Sequence, residues 1–275
     1  MSPKLQGVYT ALITPFTSNG DICTETLTQN LHLQEQAGVD CVVLLGTTGE
    51  PATIDDSERD LLITTTVKHL KGKVPIMVGC GSPSTKKTIH MAQRAQDLGA
   101  DSIQIIVPYL NKPMQEGLYL HFKAISQAIS LPICVYNIPG RCSVNLEVAT
   151  LKQIAELPNI AGVKECSGNF QQIMDIVEQI CYKKPGFSLL SGDDPVVLPM
   201  MAVGAHGIMS VISNLVPRAM VKFVKAIQAG NMPLAQKLHY ALKPLMQAVC
   251  IETNPIPIKY MMQLASLDSG HLRLP

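Results

Sequence analysis

The stretch IAGVK, Ile160–Lys164, sets the fold question: four residues that read as the inside of a buried strand end on a lysine. The run has no polar alternation, and neither do its counterparts along the chain. VYTALI (Val8–Ile13), CVVLL (Cys41–Leu45), PIMVG (Pro75–Gly79), IQIIV (Ile103–Val107) and ICVYN (Ile133–Asn137) precede it; FSLLS (Phe187–Ser191) and GIMSV (Gly207–Val211) follow. Continuous runs rich in Val and Ile are what strands buried on both faces look like, as in a parallel sheet covered by helices.

Between the runs lie segments of helical period with recognisable ends. Thr24–Ala37 carries Leu27, Leu31 and Ala37 on one side and stops at Gly38, a residue suited to the left-handed cap position. Asp55 with Glu58 has the spacing of a capping box, and Gly72 closes that helix. Ser84 caps the next, which buries Ile89, Ala92 and Leu98 before Gly99. Pro108, Tyr136, Lys164 and Gly192 fall 28 residues apart each time, about the length of one strand–loop–helix–loop unit. Eight such parallel units closing on themselves make an α/β fold of the (β/α)8 TIM-barrel class. An open doubly wound sheet is the competing architecture, but it usually carries a glycine-rich loop after its first strand, where this chain has TPF. After Val216 come three helical segments, Pro217–Gly230, Pro233–Cys250 and Pro255–Leu267. The first completes the barrel, giving a catalytic domain over 1–230. The others form a C-terminal helical extension over 231–275, expected to pack on the barrel's side or on a neighbouring subunit.

Composition narrows the function classes. Only 16% of the 275 residues are charged, the net charge is +1 and the mean hydropathy +0.20. That leaves no basic stripe for nucleic acid, and no apolar run is long enough to span a membrane. The start, MSPKLQGVYTALITPF, has no secretory signal pattern, so a cytoplasmic location is expected. The eight cysteines are scattered without a CxxC pair. They read as reduced, small apolar residues, and with no His/Cys cluster at ligand spacing no metal is expected.

In barrels of this kind chemistry sits at the C-terminal strand ends. Those ends carry Thr47 and Thr48 (in GTTGE), Tyr109, Tyr136 and Arg141 (in YNIPGR), Lys164, Gly192 with Asp193 and Asp194 (in SGDD), and Met209 with Ser210. Each has a bland reading: a packing tyrosine, threonines satisfying turn amides, a solvated lysine, a surface arginine. Glu50 and the Asp193–Asp194 pair read best as caps for helices that follow. A barrel, however, gathers the others into one mouth. Without a metal, phosphate loop or nucleotide fingerprint, the reactive group is an amine. A lysine moved into a dry pocket tends to lose its proton and attack a ketone, forming a Schiff base. Tyrosine and threonine hydroxyls can carry the protons this needs, and an arginine fork suits a substrate carboxylate. The residues therefore point to a Schiff-base aldolase or lyase acting on small oxo-acids.

GTTGE (Gly46–Glu50), VPYLNKPMQEGLYLHF (Val107–Phe122), YNIPGR (Tyr136–Arg141), GVKE (Gly162–Glu165), LLSGDD (Leu189–Asp194) and GAHGIMSVISN (Gly204–Asn214) together resemble the dihydrodipicolinate synthase family, in order and over nearly the whole chain. The resemblance implies a cytoplasmic homo-oligomer, tetramer or dimer, that condenses pyruvate with L-aspartate 4-semialdehyde in lysine and diaminopimelate biosynthesis. It implies no cofactor beyond the pyruvate Schiff base on Lys164. It also implies Thr47 and Tyr136 in a proton relay, Thr48 on the pyruvate carboxylate and Arg141 on the semialdehyde carboxylate. Gly192 and Met209 would line the pyruvate pocket, and Tyr109 is counted with the substrate-binding residues. Related lyases that cleave N-acetylneuraminate or 2-keto-3-deoxy acids share the lysine and tyrosine. GTTGE rather than GSTGE, the arginine after YNIPG, and HGIMSV favour the synthase. A degenerate member that binds a keto-acid without turnover is the remaining alternative.

Three departures from the family pattern carry expectations. Leu110 stands where a second tyrosine usually reaches into a neighbouring subunit, so the relay is expected to be shortened. Pro83 and Lys87 replace the Asn and Glu of lysine-inhibited members, and Asp56 and Arg59 replace frequent histidines, so insensitivity to L-lysine is expected. Members usually continue for a further helix past the HLRLP motif (His271–Pro275), so oligomer contacts are expected to differ.

Overall fold

The computed structural model describes residues 4–275; the first three residues of the expected 1–230 domain lie outside the described residues. Eight parallel strands close into a barrel in sequence order, β1 (Gly7–Ala11), β2 (Cys41–Leu44), β3 (Ile76–Gly79), β4 (Ser102–Ile106), β5 (Ile133–Asn137), β6 (Ile160–Glu165), β7 (Ser188–Ser191) and β8 (Gly207–Ser210). At the closing seam Gly207 pairs with Gly7, and the fit is tight: a Cβ on Gly207 would lie 2.1 Å from the Gly7 carbonyl oxygen.

The continuous hydrophobicity of the strands follows from two separate cores. Leu5, Tyr9, Cys41, Val43, Met77, Cys134, Ala161, Leu190 and Met209 fill the barrel interior. Alternate residues such as Val42, Val78, Val135, Val163 and Leu189 face outward under the helices. With both faces buried, no polar period survives.

The helical ring comprises α1 (Thr24–Ala37), α2 (Asp56–Leu70), α3 (Thr85–Asp97), α4 (Gln115–Ala128), a short α5 (Pro139–Cys142), α6 (Val148–Ala155), α7 (Phe170–Ile176), α8 (Val197–Ala202) and α9 (Pro217–Gln228). Their ends obey the capping rules read from sequence. Gly38 ends α1 at φ 71°. Asp55 and Glu58 form a reciprocal capping box on α2, and the Ser84 side chain accepts from the Lys87 amide to start α3. Each such cap satisfies a donor that the helix itself leaves unpaired, and losing one typically costs about 1 kcal/mol. Two further helices follow, α10 (Met232–Ala248) and α11 (Ile256–Leu264). α10 lies along α9, whereas the segment before α11 and the chain end run over the barrel mouth.

One irregularity decides which way the lysine of β6 points. The register between β5 and β6 slips between Ile133 and Cys134. Ala161 therefore belongs to the interior, Val163 to the outer layer, and Lys164 turns inward beside its register partners Tyr136 and Leu190. A one-residue slip exchanges the two faces of a strand. Without it, Lys164 would share the face opposite to Ala161 and meet the helices.

Candidate active site

A cavity of about 640 Å³ opens at the C-terminal ends of β2 to β5. Thr47, Tyr109, Tyr136 and Arg141 line it, together with Gly46, Gln104 and the C-terminal residues Thr253–Ile256 and Leu272–Arg273. Lys164 is not in its wall. It is buried behind Tyr136, 6% exposed, with Nζ 4.1 Å from the centroid of the phenol ring. Tyr136 and Lys164 are register partners on adjacent strands, which is the structural content of their 28-residue separation.

Among the described residues, Lys164 Nζ makes no ion pair within 4.0 Å. Asp193 is the nearby acid. Burial raises its carboxyl, and the charge on Lys164 opposes that rise. The Tyr136 phenol is driven well above its ordinary range, first by burial, with the nearby Thr47 hydroxyl opposing the rise. It stays a neutral O–H that can donate or pass on a proton. Burial likewise holds the Cys134 thiol up at about 12, and the Cys166 thiol is raised for the same reason. The cysteines beside the lysine are therefore held as neutral thiols.

Gly192 abuts the lysine stem: a Cβ would fall 1.9 Å from Cys166 Sγ and 2.7 Å from Lys164 Cε. Only a glycine leaves Lys164 its present path. Met209 lies on the interior floor, fully buried, and its Sδ accepts from Gln104 Nε2 at 2.8 Å. Thr48 is 1% exposed, and its hydroxyl accepts from Asn254 Nδ2 at 3.0 Å. Arg141 is exposed at the rim, where its Nη2 donates to the Asn254 carbonyl at 3.0 Å. Tyr109 is 38% exposed on the wall of the same cavity.

Two expectations about carboxylates need correction. Glu50 precedes the short 3-10 turn Pro51–Thr53, but its side chain caps no helix. Its Oε1 accepts from Lys259 Nζ at 2.7 Å and its Oε2 from the Arg273 amide at 3.2 Å, because the turn after GTTGE puts Glu50 at φ 54° and swings the carboxylate under α11. Asp194 does not cap the helix after it either. It reaches across to the end of β8, accepting from the Ser210 hydroxyl and from the Val211 and Ile212 amides at 2.9 and 3.3 Å. Asp193 precedes a short 3-10 turn but makes no side-chain cap.

Sequence reasoning passed over Asn254, Gln104, Lys259 and Arg273. Asn254 ties Thr48 to Arg141, and its Oδ1 is buried without a partner. Lys259, fully buried, bonds Thr14 O at 2.8 Å as well as Glu50, and both it and Arg273 approach the Phe16 ring, at 4.3 and 4.4 Å from the centroid. Arg273 also donates to Gly20 O and Thr53 O and pairs with Glu58. The C-terminal segment is thereby fastened to the turn that carries Thr47 and Thr48. A glutamine inside IQIIV and a lysine inside IPIKYMM were the available signals, each a polar residue at a position where burial demands a partner.

The profile of the Dihydrodipicolinate synthetase family matches residues 4–275. The chain belongs to the dihydrodipicolinate synthase family. Among relatives, it is 48% identical over 271 residues to the 4-hydroxy-tetrahydrodipicolinate synthase of Protochlamydia amoebophila, covering 98% of this chain and 90% of that one. It is 41% identical to the 4-hydroxy-tetrahydrodipicolinate synthase of Thermotoga neapolitana, with 98% and 92% covered. The crystal structure of the Thermotoga maritima dihydrodipicolinate synthase superposes with a TM-score of 0.97 at 39% identity, covering 99% of this chain and 92% of that one.

Proposed function

We propose that the protein is a lyase of the class I aldolase type, a 4-hydroxy-tetrahydrodipicolinate synthase that condenses pyruvate with L-aspartate 4-semialdehyde. The observation that carries this reading is Lys164, buried, without a carboxylate partner and in contact with the Tyr136 ring at the cavity. In its neutral form the Lys164 amine attacks C2 of pyruvate. The carbinolamine oxygen leaves as water after taking a proton from the Tyr136 hydroxyl, which is resupplied through Thr47. Loss of a C3 proton from the resulting Schiff base gives an enamine, and this attacks the aldehyde carbon of the second substrate. The amino group of that substrate then displaces Lys164 by transimination, closing the ring and releasing the free amine.

Thr48 steadies the pyruvate carboxylate, and Arg141 at the rim offers a planar fork for the carboxylate of the semialdehyde. Gly192 and Met209 shape the pyruvate end, and Tyr109 takes part from the cavity wall. No cofactor is needed, since the lysine supplies the electron sink. No helix among the described residues is long and apolar enough to cross a membrane, and we place the enzyme in the cytoplasm, in lysine and diaminopimelate biosynthesis. A homo-oligomer is part of the proposal: Leu110 and Met114 are 86% and 81% exposed on the loop after β4, a poor arrangement for a chain working alone. Barrel 1–230 and extension 231–275 remain the proposed division, with the extension contributing to the mouth.

A coupled assay supplying pyruvate and L-aspartate 4-semialdehyde tests the reading. Turnover with this pair and none with N-acetylneuraminate or 2-keto-3-deoxy acids supports it; cleavage of those acids instead assigns the chain to the related lyases.

A further inference from the structure

Lys164 belongs to one of the layers of inward side chains that alternate strands build inside a (β/α)8 barrel. The strand registers name its members. From Lys164 the pairing runs through Leu190 to Gly207, and the two residues gained to strand tilt lead to Met209. The same step goes through Tyr9 and Cys41 to Val43, then through Met77 and Ser102 to Gln104. From Gln104 it passes Cys134 and Gly162 and closes on Lys164. The polar neighbour of the amine in its own layer is therefore Gln104.

Gln104 and Met209 stand on opposite strands of that layer, so their hydrogen bond, Nε2 to Sδ at 2.8 Å, spans the barrel axis beside Lys164. Gln104 is 3% exposed, yet it lines the cavity. A thioether has no proton to give, so the NH2 end of the amide faces Met209 and the oxygen end faces away. Oε1 has no donor among the described residues and is not sealed in the protein. It opens on the cavity beside Gly46, where a Cβ would lie 3.6 Å from it. A nearly buried acceptor without a donor is costly, and its partner must come from what fills the cavity.

The carbon that joins Lys164 Nζ bears a carboxylate and C3. With the carboxylate at Thr48, C3 is the substituent left to face the Gln104–Met209 crossbar. The enamine reacts through its face, so a group on C3 leaves attack toward the mouth open. Pyruvate offers Oε1 only a methyl hydrogen, and a water completes the acceptor. A hydroxyl on C3 donates to it directly, whereas an added methyl group expels the water and strands it.

We infer that Gln104 is a specificity-determining residue of the donor site, selecting 2-oxo acids whose C3 bears a hydroxyl over those whose C3 bears a methyl group. The inference rests on the proposed roles of Lys164 and Thr48 and adds a residue to them.

The test is a competition on the full chain between 3-hydroxypyruvate and 2-oxobutyrate, which differ only in that group, with pyruvate in a parallel sample. The ketone oxygen leaves as water when the Lys164 imine forms. Borohydride then adds hydride to C2 and the nitrogen takes a solvent proton, so each donor leaves an adduct of its own mass. The ratio of hydroxypyruvyl to oxobutyryl adduct on Lys164 is referred to the ratio on Nα-acetyl-lysine, which removes the difference in ketone reactivity. The wild type should exceed that reference at least about tenfold, and Gln104→Leu and Gln104→Met should each fall at least about tenfold below the wild type. The ratio is read within one sample, so a general loss of reactivity cannot produce the fall. A wild-type ratio at the reference, or ratios within about twofold of the wild type in both variants, overturns the inference while Lys164 still takes pyruvate. No pyruvyl adduct on Lys164 in the parallel sample overturns the Schiff-base reading, and this one with it.

Discussion

Replacing Gly192 with alanine tests how closely the lysine is positioned. The new Cβ would stand 1.9 Å from Cys166 Sγ, 2.7 Å from Lys164 Cε and 3.2 Å from Lys164 Cγ. Carbon atoms rest at about 3.5–4.0 Å, so the lysine stem must move by about 1 Å to make room. A displacement of that size at a reacting group costs about 100-fold in rate, and overpacking a filled interior costs about 1–3 kcal/mol of stability. The two costs have different sources and can be separated. Cys166→Ala removes the closer clash, so Gly192→Ala made in that background destabilises by less than about 1 kcal/mol, a coupling readable from a double-mutant cycle in urea unfolding. The contact with Lys164 Cε remains, so the trapping rate with saturating pyruvate stays depressed in the double variant. A Gly192→Ala protein that reacts with pyruvate within about twofold of the wild type would refute the positioning argument.

Other expectations follow from the same geometry. Tyr136→Phe keeps the ring against Lys164 but removes the proton source, and kcat should fall by about 10²–10⁴-fold with the fold intact by circular dichroism. Lys259→Met strands the Glu50 carboxylate in a buried setting and should cost about 3–5 kcal/mol in urea unfolding, most of it recovered by adding Glu50→Gln; a single variant as stable as the wild type contradicts the ion-pair account. His121 is 5% exposed, with Nδ1 bonded to the Thr85 hydroxyl and Nε2 unpartnered, and burial lowers its pKa to about 4. The unfolded chain then binds the proton more readily. The contribution is full above pH 6.5, the ordinary histidine value, and is lost as pH falls toward 4. It amounts to about 3 kcal/mol, absent in a His121→Gln variant compared by urea midpoints across that range. Leu110 sits in the left-handed region at φ 69° on an exposed corner. If it has shortened a relay, Leu110→Tyr should raise kcat several-fold, and an unchanged kcat removes that explanation.

Much of the fold was legible because a barrel is a repeated local pattern. The strand runs, the capping box at Asp55 and Glu58, the glycine stop at Gly38 and the 28-residue spacing each depend on residues close in sequence. Lys164 stood out for the same reason, as a charge ending an apolar run. Its inward direction was not legible, since it turns on a register slip between two strands, and nothing in IAGVK marks where hydrogen bonding skips a residue. The clasp over the mouth was hidden by distance. Asn254 meets Thr48 across 206 positions and Lys259 meets Glu50 across 209, and single-chain patterns carry no information at that range. Glu50 was misjudged because helix-cap chemistry and buried ion pairing draw on the same residue type, and only the partner tells them apart.

The measurement that tests the central claim most directly is borohydride reduction in the presence of pyruvate, followed by peptide mass mapping. The fold buries two lysines near the mouth, Lys164 and Lys259, 6% and 0% exposed. The account predicts one reduced pyruvyl adduct, on Lys164, and none in a Lys164→Ala variant. An adduct on Lys259, or an unmodified Lys164 after reduction, would contradict it.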